Sequence, residues 1–165
     1  MRHLYLIRHA KSDWSDPGLS DFDRPLNARG EKNAPFMGSV LHARAIRPDL
    51  ILASPAVRAK STAVSIAEAI GYPPEEIRYD ESLYLADPLA LETALRRIDD
   101  SVRSVFLVAH NPGLTEYVTY LSGYPIDNVP TCGIVEIALP ARWSDLTQNS
   151  GNFVSFDYPK RHKKS

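Results

Sequence analysis

Three short stretches of the chain are apolar without a break: Leu4–Ile7, Leu50–Ala53 and, after Ser104, Val105–Ala109. A half-exposed strand alternates apolar and polar positions, whereas a run that is apolar throughout needs apolar neighbours on both faces. These runs therefore predict central strands covered by helices on either side. Between them the period changes. Residues Glu31–Ala45, just after Gly30, predict a first helix. Arg58–Ile70 puts Ala59, Ala63, Ile66, Ala67 and Ile70 on one face and stops at Gly71, with Pro73 and Pro74 beyond. Pro88–Ile98 predicts a third helix with proline in its first turn, and Leu114–Leu121 a fourth. Gly133–Leu139 and Phe153–Asp157 read as late strands. Strands alternating with helices predict an α/β fold, a three-layer sandwich with a mostly parallel central sheet.

The 165 residues fit one domain. It is expected to span residues 1–159, with the basic tail 160–165 (KRHKKS) as a solvated terminus. Asp13–Asn27, with Pro17, Gly18 and Pro25, is the one long polar loop before the first helix. Such length marks a functional or mobile segment. Its Asp21, Asp23 and Arg24 either order the loop or meet a partner.

Charge narrows the function. Nineteen basic and twenty acidic residues leave a net charge of -1. The chain as a whole has no pull toward nucleic acid or an anionic membrane, so any anion site must be built locally. The single cysteine, Cys132, allows no internal disulfide and suits a reducing compartment. The apolar run at Leu4–Ile7 is broken by Arg8 and His9, too short for a signal-peptide core or a membrane span. The expected location is cytoplasmic.

In open α/β sheets ligands bind beyond the carboxyl ends of the strands. The first run is followed by Arg8-His9-Ala10-Lys11-Ser12, the second by Ser54-Pro55-Ala56-Val57-Arg58, and the run ending at Ala109 by His110-Asn111-Pro112-Gly113. Two histidines, two arginines and hydroxyls thus meet at one mouth, with no carboxylate among them. The helix starting near Arg58 aims its first amides at the same place. Arginines and a helix N-terminus select a dianion such as phosphate. Histidines can accept a phosphoryl group or exchange a proton. A hydrolytic metal site needs carboxylates or further histidines, and adjacent arginines repel a cation, so no metal is expected. Ser54 lacks the Gly-x-Ser-x-Gly elbow of a nucleophile and reads as a backbone or phosphate contact. Cys132, just before a strand, reads as core.

These motifs together resemble the histidine phosphatase superfamily, with its phosphoglycerate-mutase-like fold. Leu6-Ile7-Arg8-His9-Ala10 resembles the family's Arg-His-Gly segment, with Ala10 where the family has Gly. Asp23-Arg24-Pro25-Leu26-Asn27-Ala28-Arg29-Gly30 resembles the segment before its first helix. Ser54 to Ala63 resembles its Ser-x-x-x-Arg-Ala-x-x-Thr-Ala motif, and Val108-Ala109-His110-Asn111 its second-histidine motif. The short chain, Arg24-Pro25-Leu26, Leu83-Tyr84-Leu85-Ala86 and His110-Asn111-Pro112-Gly113 are most similar to the SixA-type phosphohistidine phosphatases, which lack a large helical insertion.

The resemblance implies a cofactor-free, metal-independent phosphohydrolase in which His9 becomes phosphohistidine. Arg8, Arg58 and His110 would complete the phosphate pocket, with His110 cationic in the complex. Ser12, Ser15, Ser54 and Asn111 would be phosphate or substrate contacts. Many relatives carry a glutamate that protonates an alkoxide leaving group; here Glu81 is the candidate, and the match is weak. A site without a placed acid favours phosphohistidine, whose leaving nitrogen takes its proton from solvent. The expected partner is a phosphorylated protein. The alternatives are a phosphatase or mutase of small phosphoesters and, in another class, an inactive phosphate-binding regulator. All four matched positions, Arg8, His9, Arg58 and His110, keep competent residues, which argues against the last.

Overall fold

The three unbroken apolar runs lie next to one another at the centre of one sheet. The computed structural model describes residues 1–163. In chain order the elements are β1 (Arg2–Arg8), α1 (Ala28–Ala43), β2 (Leu50–Ala53), α2 (Val57–Ile70), β3 (Arg78–Tyr79), α3 (Pro88–Arg96), β4 (Ser104–Ala109), α4 (Gly113–Ser122), β5 (Ile134–Leu139) and β6 (Asn152–Asp157). The sheet has six strands in the order β3-β2-β4-β1-β5-β6. Side chains of one strand point alternately to opposite faces, so each central strand feeds two cores. Leu4, Leu6, Val105 and Leu107 pack with Leu91, Leu95, Leu114 and Tyr117 of α3 and α4. Tyr5, Ile7, Phe106 and Val108 pack with Met37, Leu41, Ala63 and Ile66 of α1 and α2. This is the expected three-layer α/β sandwich, without a large helical insertion. None of the described helices is long and apolar enough to cross a membrane.

The sheet is parallel through β3, β2, β4 and β1. β5 then runs antiparallel to both β1 and β6. The register aligns the carboxyl ends that matter. Arg8 lies opposite Ala109, and Ala53 opposite Val108. His9 and His110 therefore leave adjacent strands at the same level, with Ser54 beside them.

Some boundaries differ from expectation. α1 begins at Ala28 rather than Glu31, because the Asn27 side chain accepts the Gly30 amide and caps the helix one turn earlier. α3 ends at Arg96 rather than Ile98, where the chain tightens into an Ile98 N–H to Leu95 carbonyl bond. The two-residue strand β3 has no hydrophobic run to announce it.

The Asp13–Asn27 loop is tied to the end of β1 rather than hanging free. Ser12 and Leu26 form an antiparallel bridge, Asn27 N–H donates to the Lys11 carbonyl and Asp13 N–H to the Pro25 carbonyl. Gly30 lets α1 close on this segment, since a Cβ there would lie 2.2 Å from the Lys11 carbonyl oxygen. The described part of the basic tail folds back as a tight turn over Pro159–His162, with the Arg161 guanidinium on the Phe156 carbonyl and His162 2.7 Å from Asp157. The last two residues of the expected tail, 164–165, lie outside the described residues.

Candidate active site

A cleft of about 670 Å³ opens over the carboxyl ends of β1 and β4. Arg8, His9, Ser12, Arg58, His110 and Asn111 all line it. The sequence motifs, far apart in the chain, thus converge at one place. The rings of His9 and His110 are 5.2 Å apart, centroid to centroid.

His9 is buried, and its Nδ1 lies 2.7 Å from the Ala10 carbonyl oxygen. A carbonyl can only accept, so in the neutral ring the proton sits on Nδ1 and the lone pair on Nε2. Burial lowers the His9 pKa to about 4; the Ala10 carbonyl opposes this, while Arg58, Arg8 and Arg24 add to it. His110 falls to about 3, first through burial and then through His9 and Arg58. Both rings are therefore neutral at pH 7. The segment after His9 is held to α2 by Thr62, whose hydroxyl donates to the Arg58 carbonyl and accepts the Ala10 N–H. On its other side Cys132 N–H lies within bonding distance of the carbonyls of both Arg8 and His9. Ala10 avoids the left-handed backbone region, so the Gly-to-Ala departure meets no strain.

Asp21 and Arg24 enter from the loop. One terminal nitrogen of Arg58 donates to the Asp21 carbonyl at 2.7 Å and the other to its carboxylate at 3.0 Å. Arg24 donates to the same carboxylate and to the Ser12 hydroxyl, and stacks 3.3 Å above the Trp14 ring. Tyr84 donates to Asp21 and turns its ring edge-on to His110. Burial alone would raise the Asp21 pKa, but hydrogen bonds from Tyr84, Arg24 and Arg58 hold it at about 2. Burial, and after it the same contact, raises the Tyr84 pKa. Arg8 spends one terminal nitrogen on the Val129 carbonyl.

Several expected contacts are placed differently. Ser54 does not line the cleft; it is fully buried beneath His110, with its hydroxyl 2.7 Å from Nε2, where it can position the ring. Ser15 is exposed outside the cleft, its amide donating to the Asp13 side chain, because the loop turns away there to deliver Asp21 instead. Asn111 lines the cleft, yet its amide group is engaged by Val129, Asn128 and Thr115 and caps the start of α4. Glu81 is exposed in a short turn outside the cleft. From that segment it is Tyr84 and Leu85 that reach the site. Cys132 is core, and burial pushes its thiol up to about 12. Among the described residues no three His, Cys, Asp or Glu side chains are arranged to hold a metal ion.

The family model of the histidine phosphatase superfamily (branch 1) matches residues 4–84. An uncharacterised protein of Mycobacterium tuberculosis is 32% identical over 164 residues, covering 93% of this chain and all of that protein. The crystal structure of the proposed phosphohistidine phosphatase SixA from Agrobacterium tumefaciens superimposes with a TM-score of 0.80 at 30% identity, covering 96% of this chain and 98% of that one. The protein histidine phosphatase SixA complexed with tungstate has the same fold, with a TM-score of 0.84 at 22% identity over 98% and 99% of the two chains. The converging motifs and these matches together make the chain a member of the histidine phosphatase superfamily, with the small architecture of its SixA-like proteins.

Proposed function

We propose that this protein is a phosphohydrolase that works without a metal, through a phosphohistidine formed on His9, and that its substrate is phosphohistidine on another protein. The observation that carries the reading is the Ala10 carbonyl at His9 Nδ1. It leaves Nε2 as a lone pair on a ring whose lowered pKa keeps it unprotonated at neutral pH.

In this mechanism Nε2 attacks phosphorus in line as the bond to the leaving group breaks. Water then attacks the phosphohistidine, phosphate departs, and Nε2 regains its lone pair. Such transfers depend on positioning and charge more than on covalent help from the protein. Arg8 and Arg58 meet the equatorial oxygens, joined by Arg24, and His110 takes up a proton as the dianion raises its pKa. The crowd of guanidinium groups disfavours a divalent cation, which supports the metal-free reading.

The choice of leaving group follows from the acid that the cleft lacks. Among the described residues Asp21 is the one carboxylate lining it. Held near pKa 2, it is ionised at neutral pH and cannot protonate an alkoxide. Glu81 lies outside the cleft. A phosphorylated imidazole leaves readily once solvent has protonated it, so the arrangement supports phosphohistidine over alkyl phosphates.

The test compares a phosphohistidine peptide, p-nitrophenyl phosphate and 3-phosphoglycerate with EDTA present, for wild type and His9→Ala. The expected result is rapid turnover of the peptide, slower turnover of the activated ester and little of 3-phosphoglycerate, all lost in the variant. Activity confined to the two small esters would make this a metabolite phosphatase. Inactivity toward all three would make it a phosphate-binding module.

A further inference from the structure

The cleft carries far more positive charge than phosphate requires. Among the described residues seven Lys or Arg side chains line it against the single carboxylate of Asp21, in a chain whose net charge is -1. Arg8, Arg24 and Arg58 belong to the phosphate pocket. Lys11, Arg29, Lys160 and Lys163 remain. All four are exposed, and among the described residues none lies within ion-pair distance of a carboxylate.

All four line the same cleft, and two contacts link the segments that carry them. Lys11 follows β1, and its carbonyl is pressed against Gly30 in the first turn of α1, next to Arg29. The turn that carries Lys160 packs on α1 through the His162 ring, 5.5 Å from Phe36. Elsewhere on the rim are two apolar side chains that a solitary molecule would cover if it could: Trp14, 73% exposed, and Leu85, 55% exposed. Unpaired basic side chains and exposed apolar ones therefore line the same cleft as the phosphate pocket.

We infer that this rim is a docking surface for an acidic face of the phosphorylated protein, with carboxylates beside the phosphohistidine meeting Lys11, Arg29, Lys160 and Lys163 and an apolar side chain covering Trp14 and Leu85. The inference rests on the proposed phosphohistidine activity and names the character of its substrate. Charge complementarity selects the partner. The free cations belong to the rim, where charge acts on encounter and register with a large partner. A small second anion would instead be gripped by desolvated, hydrogen-bonded groups in a concave pocket. Such attraction is screened over about 10 Å at 0.1 M salt, so it carries a signature in ionic strength.

The experiment uses the full chain, as wild type and as the double variant Arg29→Ala/Lys160→Ala. The substrates are two phosphohistidine peptides, one flanked by Asp and Glu and one by Asn and Gln, with p-nitrophenyl phosphate and fructose 1,6-bisphosphate alongside. Binding of the unphosphorylated acidic peptide is measured in parallel by fluorescence anisotropy. The expected result is a kcat/KM about tenfold higher for the acidic peptide at low salt, falling steeply as salt rises. The double variant should lose that preference and the peptide binding while hydrolysing p-nitrophenyl phosphate within about twofold of wild type, which also reports its folding. Equal treatment of both peptides by wild type, or an undiminished preference in the double variant, overturns the docking surface and leaves the phosphatase intact. Loss on the bisphosphate with none on the acidic peptide overturns it in favour of a subsite for small polyanions. If neither peptide is hydrolysed yet the acidic one binds through Arg29 and Lys160, the surface stands and the phosphohistidine activity falls.

Discussion

At His9 a backbone carbonyl does the orienting that a carboxylate does in a serine protease: it holds Nδ1–H and so determines which nitrogen is free. Because burial and the arginines lower this pKa to about 4, the ring stays neutral until the pH falls well below the ordinary histidine value. The pH profile of kcat/KM, corrected for the substrate's own ionisation, is therefore expected to lose activity as pH falls through about 4. A limb at 6.5 would contradict the assignment. Asp21 now occupies both terminal nitrogens of Arg58, where a phosphate dianion would bind. Asp21→Asn removes a like charge from beside that dianion. Inorganic phosphate should then bind roughly fivefold more tightly, about 1 kcal/mol, as measured by inhibition of p-nitrophenyl phosphate hydrolysis. Weaker binding would mean that Asp21 instead orients Arg58 and Arg24. Ser54→Ala, beneath His110, is expected to lower kcat by about tenfold with little change in KM and to shift the His110 limb of the pH profile, since the buried ring loses its hydrogen bond to the Ser54 hydroxyl. Loss confined to KM would return Ser54 to the ligand-contact role expected from the motif.

The elements explain why these residues meet. Register between β1, β4 and β2 places His9, His110 and Ser54 at one level, and each strand was legible as an unbroken apolar run. Helix α2 was legible too, from its small-residue face and its stop at Gly71, which adopts a left-handed backbone with φ +77°. β3 was not, because two residues on a sheet edge carry no periodicity. Nor was the direction of β5, because a buried strand is apolar whichever way it runs. Gly113 shows how tightly one site element is packed: a Cβ there would lie 1.8 Å from the Ala86 carbonyl oxygen. Gly113→Ala should force α4 away from the Ala86 segment, displacing His110. Thermal and urea unfolding should register a loss of about 3 kcal/mol, accompanied by lower activity. Unchanged stability would show that the segment yields freely.

For the molecule as a whole, the site has a cost in acid. Both buried histidines are neutral in the fold and titrate near 6.5 when unfolded, so the unfolded chain binds more protons between these values. The stability they contribute is complete above about pH 6.5 and lost as pH falls toward 4, on the order of a few kcal/mol. Urea unfolding from pH 7 to 4.5 should show the decline, and the double variant His9→Gln/His110→Gln should flatten it. A slope as steep in the variant would place the titrating groups elsewhere. At this scale the sequence said least. Asp21 reaches Arg58 across 37 residues, and the turn carrying Lys160 reaches the cleft from the far end of the chain. Such pairings depend on how loops close rather than on any local pattern, so the tail read as a bare solvated terminus and Asp21 as one acidic loop residue among several. The central claim, that phosphate passes through His9, is tested most directly by trapping the phosphoenzyme. Wild-type protein mixed with a phosphohistidine peptide and quenched in base within one turnover should carry a single phosphoryl group on His9, stable in base and lost in acid, by mass spectrometry of the digested chain. Complete phosphate release with His9 unmodified at every time, or a phosphoryl group on another residue, would contradict it.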